Sequence, residues 1–300
     1  MDIRRLKSFI TIVDMGSITR AADMLHIAQP ALSQHLAFLE GHFKQKLLIR
    51  SQQGVVLTEA GRVVYRHAQI MLRQMDQAQA DALTAGETLT GRVSVGLAPF
   101  SAAASLSIDL FRIVRERHPG ILLHIVESTG QAYSQLIMNG RLEVALLHGS
   151  NPIKGVKLQS LGAERFVLVH KRGTFDLGAD PLPVARLSGV PMLLPPSYNF
   201  VRRAIDISFG RTRADLNVIG EFESVKTLSR AVGLGMGATI MPRAIAHRIE
   251  GENDGIAVTE VHSPAMEETL AICVSDQMPL SEPACVVRDL LLELTAQLDL

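Results

Sequence analysis

Apolar positions recur at helical spacing through roughly the first ninety residues, then give way to short apolar runs alternating with helical stretches. Leu6, Phe9, Ile10 and Val13 lie on one side of a predicted first helix. Gly16 and Ser17 interrupt it, and Ser17 suits the N-cap of a second helix that turns Ile18, Ala21, Ala22 and Leu25 inward. A turn through His26, Ile27 and Ala28 precedes a third helix reaching to about Phe43. Pro30 falls in its first turn, where a missing N–H does no harm. Two short helices joined by a tight turn outline a helix-turn-helix over residues 18–37.

From Leu47 to Leu57 two apolar stretches flank a polar tip with Gly54, which predicts a hairpin. Thr58 is placed to cap a long helix, with Glu59 near its positive end. Along that helix Val64, Ala68, Met71, Met75, Ala78, Ala82 and Ala85 follow a 4-3-4-3-4-3 spacing, the pattern of a coiled-coil dimer seam. The same stripe also suits a helix packed on its own domain. Its run along the whole helix, with polar residues on either side, favours the seam.

Gly86 and Gly91 mark a boundary. Beyond it strands are predicted at 93–97, 122–126, 144–147, 165–170, 191–194, 217–221, 238–241 and 269–274, with helices at 102–117 and 133–138. Strands alternating with helices imply mainly parallel sheets covered on both faces, and this length of chain suits two such sheet units in a two-lobed α/β domain.

Composition narrows the function. The 300 residues are 47% hydrophobic and 20% charged, ordinary for a globular chain. Thirty basic residues balance thirty acidic ones, so any affinity for nucleic acid must come from local charge placement. No apolar run is long enough to span a bilayer, and the N-terminus leads into an amphipathic pattern and not a signal-peptide core, which suggests a cytoplasmic protein with reduced thiols. Cys273 and Cys285 are too few for a zinc site, and the ten His show no metal-ligand spacing, so neither metal nor cofactor is expected.

The third helix carries the most informative chemistry. Leu32, Leu36 and Leu39 anchor one side in the core. Pro30, Ser33, Gln34 and Ala37 gather on the other, with Gln29 and Ala31 near the N-terminal end. A short, polar, uncharged face is usually just solvated, but it also suits base-edge reading. Gln pairs with adenine, Ser donates or accepts, and an Ala methyl meets thymine. Phosphate contacts would come from Arg4, Arg20 and other cations of the first fifty residues, and Arg50 on the hairpin, with Gln52 and Gln53 at its tip, is placed to reach a minor groove.

The runs Gly16-Ser17-Ile18-Thr19-Arg20-Ala21-Ala22, Leu25-His26-Ile27-Ala28-Gln29-Pro30-Ala31-Leu32-Ser33, Leu48-Ile49-Arg50 and Leu57-Thr58-Glu59-Ala60-Gly61 occur in the order and spacing that resembles the LysR-type transcriptional regulators. Ala28 departs from the Ser or Thr that many members carry there, which removes a side-chain cap. Ile27–Gln34 together with Gly96-Leu97-Ala98-Pro99, Gly220–Ser224 and Gly235–Thr239 is similar to the nitrogen assimilation control branch. The resemblance implies a winged helix-turn-helix (1–58), a dimerising linker helix (59–90) and a two-lobed domain like periplasmic binding proteins (91–300). Lobe I would comprise about 91–162 and 268–300, and lobe II about 163–267. It further implies double-stranded promoter DNA as partner, bound by a homodimer or tetramer on an interrupted dyad, contact with RNA polymerase when activating, and no membrane. A small-molecule effector is allowed but not required.

Ligands of two-lobed sheet domains sit at the carboxyl ends of strands. That places Pro99, Phe100, Ser101, Ser128 and Thr129 on one side of a cleft and Ser197, Tyr198, Glu223 and Ser224 on the other. By resemblance, Ser101 and Thr129 match hydroxyls that grip an effector carboxylate. Each serine serves equally well as a plain helix cap. Glu223 either repels acidic effectors or pairs with Arg202 or Arg203.

Two other classes are weaker. Gly233-Leu234-Gly235-Met236-Gly237-Ala238 has the glycine spacing of a dinucleotide loop, but a helix precedes it and a strand follows, the reverse of what pyrophosphate binding needs. A helix C-cap suits it better. No Gly-x-Ser-x-Gly elbow occurs. A stand-alone binding protein would leave the first ninety residues without a role.

Overall fold

The computed structural model describes residues 2–51, 54–84, 89–128, 130–149, 155–175, 177, 181–252, 255–262 and 266–298. The chain divides into two units, residues 1–91 with 138–141, and residues 92–137 with 142–300.

In the first unit, Asp2 accepts the Arg4 N–H at 3.0 Å and starts α1 (Ile3–Met15), which buries Leu6, Phe9 and Ile12. Ser17 caps α2 (Ile18–Leu25), whose buried side is Ile18, Ala21 and Ala22. The turn out of α2 puts His26 in the left-handed region at φ 54°, and the Ile27 N–H returns to the Ala22 carbonyl at 3.1 Å. This reversal sets the entry of α3 (Gln29–Phe43), which seats Leu32, Leu36 and Leu39 in the core. As Ala28 foretells, α3 begins without a side-chain cap.

The hairpin of β1 (Leu48–Ser51) and β2 (Gly54–Leu57) pairs antiparallel with Arg50 opposite Val55. Three contacts fix it. Glu40 on α3 accepts from Lys46 Nζ at 2.7 Å and the Leu47 N–H at 3.0 Å. Thr58 donates to the Lys46 carbonyl at 2.6 Å while its Oγ1 accepts the Gly61 N–H at 2.9 Å, capping α4 (Glu59–Thr84). The Val55 N–H meets the Gly16 carbonyl at 3.0 Å, an approach open only to glycine at 54, where a Cβ would lie 2.5 Å from that oxygen.

The first turns of α4 belong to this same core. Ala68 is fully enclosed beside Leu6, Phe9, Leu36 and Tyr65, and Val64 packs against the cluster. The expected seam therefore loses Ala68, whose surface is spent within the unit, while Val64 is half-buried and keeps part of its surface free. Met71 (38% exposed) and Met75 (47%) continue the stripe into solvent, as do Ala78 and Ala82. Ala85 lies outside the described residues.

The second unit runs β3 (Gly91–Leu97), α5 (Ser107–Arg117), β4 (Ile121–Val126), α6 (Gly130–Met138), β5 (Val144–His148), β6 (Val156–Lys171), β7 (Leu182–Pro183), β8 (Met192–Leu194), α7 (Phe200–Thr212), β9 (Val218–Glu221), α8 (Val225–Gly233), β10 (Thr239–Pro242), α9 (Arg243–Glu252), β11 (Ile256–His262), β12 (Glu267–Ser275) and α10 (Glu282–Thr295). A single-turn 3-10 helix, Ala102–Leu106, precedes α5 where one continuous helix was expected. The strands order as β4-β3-β5-β12-β6-β11-β7, with β10 also on β6, and β8 pairs β9 separately.

Parallel pairing holds for β3 with β5 and β8 with β9. The strands joining the lobes pair antiparallel: β6 lies against β12 over Val156–Arg165, then against β10 over Phe166–Val169. Only the apolar end of β6 was legible in sequence, because Lys157, Gln159 and Ser160 make its first half polar. β5 and β10 are buried along their whole lengths, as expected of strands covered on both faces. Phe166, Leu168, Ile205, Phe209, Leu228, Ile240 and Ile245 form the lobe II core.

Candidate nucleic-acid interface and interlobe cleft

The outward side of α3 is built from the core outward. Each buried leucine of the triad stabilises its position by about 1.5–3 kcal/mol, so the helix has no freedom to roll. Gln29, Pro30, Gln34 and Ala37 are exposed, and Ala31 and Ser33 are half-buried. His35 Nδ1 lies 2.8 Å from Ser8 Oγ, a polar tie between α1 and α3 at the edge of this face.

Arg4, Arg20 and Arg50 are exposed, and Arg4 is 3.5 Å from Asp2. Gln52 and Gln53 lie outside the described residues. Sequence reasoning missed Phe38, which stays 43% exposed one turn beyond Gln34, with the Arg5 guanidinium 3.6 Å above its ring. The aromatic at the polar border of the helix was the available signal.

Below this face, burial and then the hydrogen bond to Asp14 push the Tyr65 hydroxyl up from its ordinary range, so it stays a donor. Burial raises the Glu40 carboxyl, but its bonds from Lys46, Leu47 and Leu48 outweigh this and hold it below the usual carboxylate range.

The second unit contains a cleft of about 1130 Å³ between its lobes. Pro99, Ala104, Ser107 and Glu127 face Glu223, Ser224 and the cationic side chains Lys226, Arg230 and Arg248. Of the expected residues, Pro99, Glu223 and Ser224 line it, and Ser224 also caps α8 by accepting the Thr227 N–H at 3.3 Å.

Most of the others do not line it. Phe100 is buried in the lobe II core. Ser101 is fully enclosed, donating to the Ala98 carbonyl at 2.9 Å and accepting the Ala103 N–H at 3.2 Å, so it is a cap with no surface for a ligand. The Ser128 N–H bonds to the Tyr133 hydroxyl at 2.7 Å, and that hydroxyl also lies 2.7 Å from the Leu97 carbonyl, tying the ends of β3 and β4. Ser197 and Tyr198 are exposed and do not line the cleft, and Thr129 lies outside the described residues.

Glu223 accepts from Tyr198, which raises that phenol, and not from Arg202. Arg202 instead pairs with Asp206 at 2.8 Å and Glu221 at 2.9 Å. Lys226, Arg230 and Arg248 were missed, although Lys226 and Arg230 sit four apart after the Ser224 cap, a legible one-sided spacing. None of the three takes an ion-pair partner among the described residues.

Gly235 closes α8: its N–H meets the Val232 carbonyl at 2.8 Å and the Met236 N–H meets Ala231 at 3.2 Å, so the glycine pattern ends a helix and does not begin one. Among the described residues no group of three His, Cys, Asp or Glu is disposed to hold a metal. Burial pushes the Cys273 thiol up to about 12, leaving it unreactive.

Comparison with known proteins gives the same division. Residues 3–62 match the bacterial regulatory helix-turn-helix protein of the lysR family, and residues 86–296 match the LysR substrate binding domain. The nitrogen assimilation regulatory protein nac of Klebsiella aerogenes is 39% identical over 297 residues, covering 99% of this chain and 96% of its own. Its namesake in Escherichia coli is 38% identical over 292 residues, covering 97% and 94%. The solved structure of ArgP from Mycobacterium tuberculosis superposes with a TM-score of 0.74 at 19% identity, over 99% of this chain and 98% of that one, a likeness of fold. With an exposed polar face on α3, a hairpin beside it and a two-lobed second unit, the chain belongs to the LysR family of DNA-binding transcriptional regulators, and it is not an enzyme.

Proposed function

We propose that this regulator reads an interrupted dyad as a homodimer or tetramer, with α3 in the major groove of each half-site and the wing over the adjacent minor groove. The observation that carries the reading is the uncharged face of Gln29, Gln34 and Ala37, exposed with Ser33 half-buried beside them, on a helix whose other side is locked by Leu32, Leu36 and Leu39. Gln29 and Gln34 supply amides for adenine edges, Ser33 a hydroxyl, and Ala37 a methyl-sized contact for thymine. Arg4, Arg20 and Arg50, with backbone amides at the start of α2 and α3, hold phosphates.

Dimers form through the exposed part of the α4 stripe, Met71, Met75, Ala78 and Ala82. The likeness to the nac proteins supports a role in nitrogen metabolism, in the cytoplasm, with RNA polymerase as partner at activated promoters. No helix among the described residues is long and apolar enough to cross a membrane. Where a small metabolite modulates activity, it enters the interlobe cleft, and Lys226, Arg230 and Arg248 favour an anion there.

Footprinting of the purified protein on fragments from nitrogen-regulated promoters tests this reading. Two protected half-sites related by a dyad support it; protection without symmetry contradicts it. Repeating the footprint with a panel of anionic metabolites, on wild type and Arg230→Ala, tests the cleft.

A further inference from the structure

Three elements of the second unit converge on one buried carboxylate. Glu164 lies in β6 where that strand leaves β12 and begins to pair with β10, so it sits at the joint between the lobes. Its side chain is 2% exposed. One carboxylate oxygen accepts the Ala102 N–H and the other meets His148 Nε2. His148 ends β5 and is itself 3% exposed, with its ring edge-on to Phe166 of the lobe II core at 6.0 Å.

A carboxylate this far from water is tolerable only with both oxygens satisfied, and both are. The location is telling. The carboxyl ends of β3 and β5 are where two-lobed sheet domains offer amides to ligands. Here the turn after β3 is closed by Ser101, its next free amide is Ala102, and the group that fills the place is a side chain of the same protein.

We propose that Glu164 is a built-in ligand. Its carboxylate occupies the anion seat formed by the Ala102 amide and His148, and pins the crossing strand to lobe I. No external carboxylate enters that seat in the native protein. Any effector is confined to the cleft around Ser224 and Arg230, and the seat works as a fixed strut between the lobes. Cutting Glu164 back would open a site for a small monocarboxylate, which would restore the strut. The seat is distinct from the effector cleft and does not rest on an effector existing.

The test uses the full-length protein, melted while sodium formate is exchanged for chloride at constant ionic strength. Hydrogen exchange at the Ala102 amide is measured in parallel. Glu164→Ala should melt roughly 5–10 °C below wild type, because His148 and the Ala102 amide are left buried without their partner. Formate should raise the Tm of Glu164→Ala saturably and slow its Ala102 exchange, while the wild type shows no saturable shift. Glu164→Gln keeps the shape without the charge, and should also melt below wild type without responding to formate. Equal formate shifts in all three proteins would overturn the proposal. So would a Glu164→Gln protein that melts with the wild type, a result that stands even where the alanine variant does not fold.

Discussion

A Cβ on Gly61 would sit 2.0 Å from the carbonyl oxygen of Leu47. The first turn of α4 therefore presses directly on the base of the wing, with Thr58 bonded to both sides of the contact. Gly61→Ala should force the two apart at a cost of about 1–3 kcal/mol. Calorimetry should show a lower first transition for this variant, and Gly41→Ala, which meets nothing within 4 Å, should show no such loss.

Glu40 holds the other side of the wing base. Burial opposes its charge, but the bonds from Lys46 and the Leu47 and Leu48 amides prevail and its folded pKa lies below the ordinary value of 4.5. The sign follows from linkage: the stabilisation is complete above the unfolded pKa and is lost as pH falls through the depressed folded value. Glu40 itself is half-buried, but its partner Lys46 is largely exposed and the pair is screened by solvent, so the contribution stays within about 1 kcal/mol. Melting curves of wild type and Glu40→Gln should converge as pH drops below about 4 and separate above 5. A constant gap across that range contradicts this assignment.

The stripe along α4 is enclosed at Ala68 and exposed at Met71 and Met75, and substitutions separate the core part from the proposed seam. Met75→Lys should shift sedimentation from dimer or tetramer toward monomer while the helical circular dichroism of the first unit persists, because Met75 is 47% exposed. Ala68→Lys should instead unfold that unit, since Ala68 is fully enclosed. A Met75→Lys protein that remains fully oligomeric contradicts the seam.

Arg50 stands on β1 opposite Val55, exposed on the wing. Arg50→Ala should weaken binding to specific and unrelated duplexes alike and make the salt dependence shallower by about one unit of log K against log salt. Gel shifts at several salt concentrations provide the measurement. A loss confined to one base pair would mean that Arg50 reads sequence.

The helical first unit was legible because local signals agree: the Ser17 and Thr58 caps, the leucine triad and the left-handed turn at His26 all sit where spacing places them. The cleft was legible only in part. Placing ligand residues at strand ends found Pro99, Glu223 and Ser224, but spacing cannot distinguish a hydroxyl that faces a ligand from one that closes its own turn, as Ser101 does. The lobe joint was hidden for a different reason. β6 begins in polar residues, so Glu164 fell before the apparent start of the strand. Its alternation with Phe166 and Leu168, which puts all three on one side of the strand, was the missed clue. Where the α4 stripe passes from core to open surface is not legible in sequence, because burial by a neighbouring helix and burial by a second copy leave the same spacing.

The proposed reading of DNA rests on the exposed face of α3. The direct measurement is binding of Gln29→Ala and wild type to a half-site in which each base pair is changed in turn. The account predicts that Gln29→Ala loses about 1–3 kcal/mol of discrimination at one adenine-containing position and keeps wild-type preferences at the rest. Unchanged affinity and an unchanged preference profile would show that this face does not read the bases.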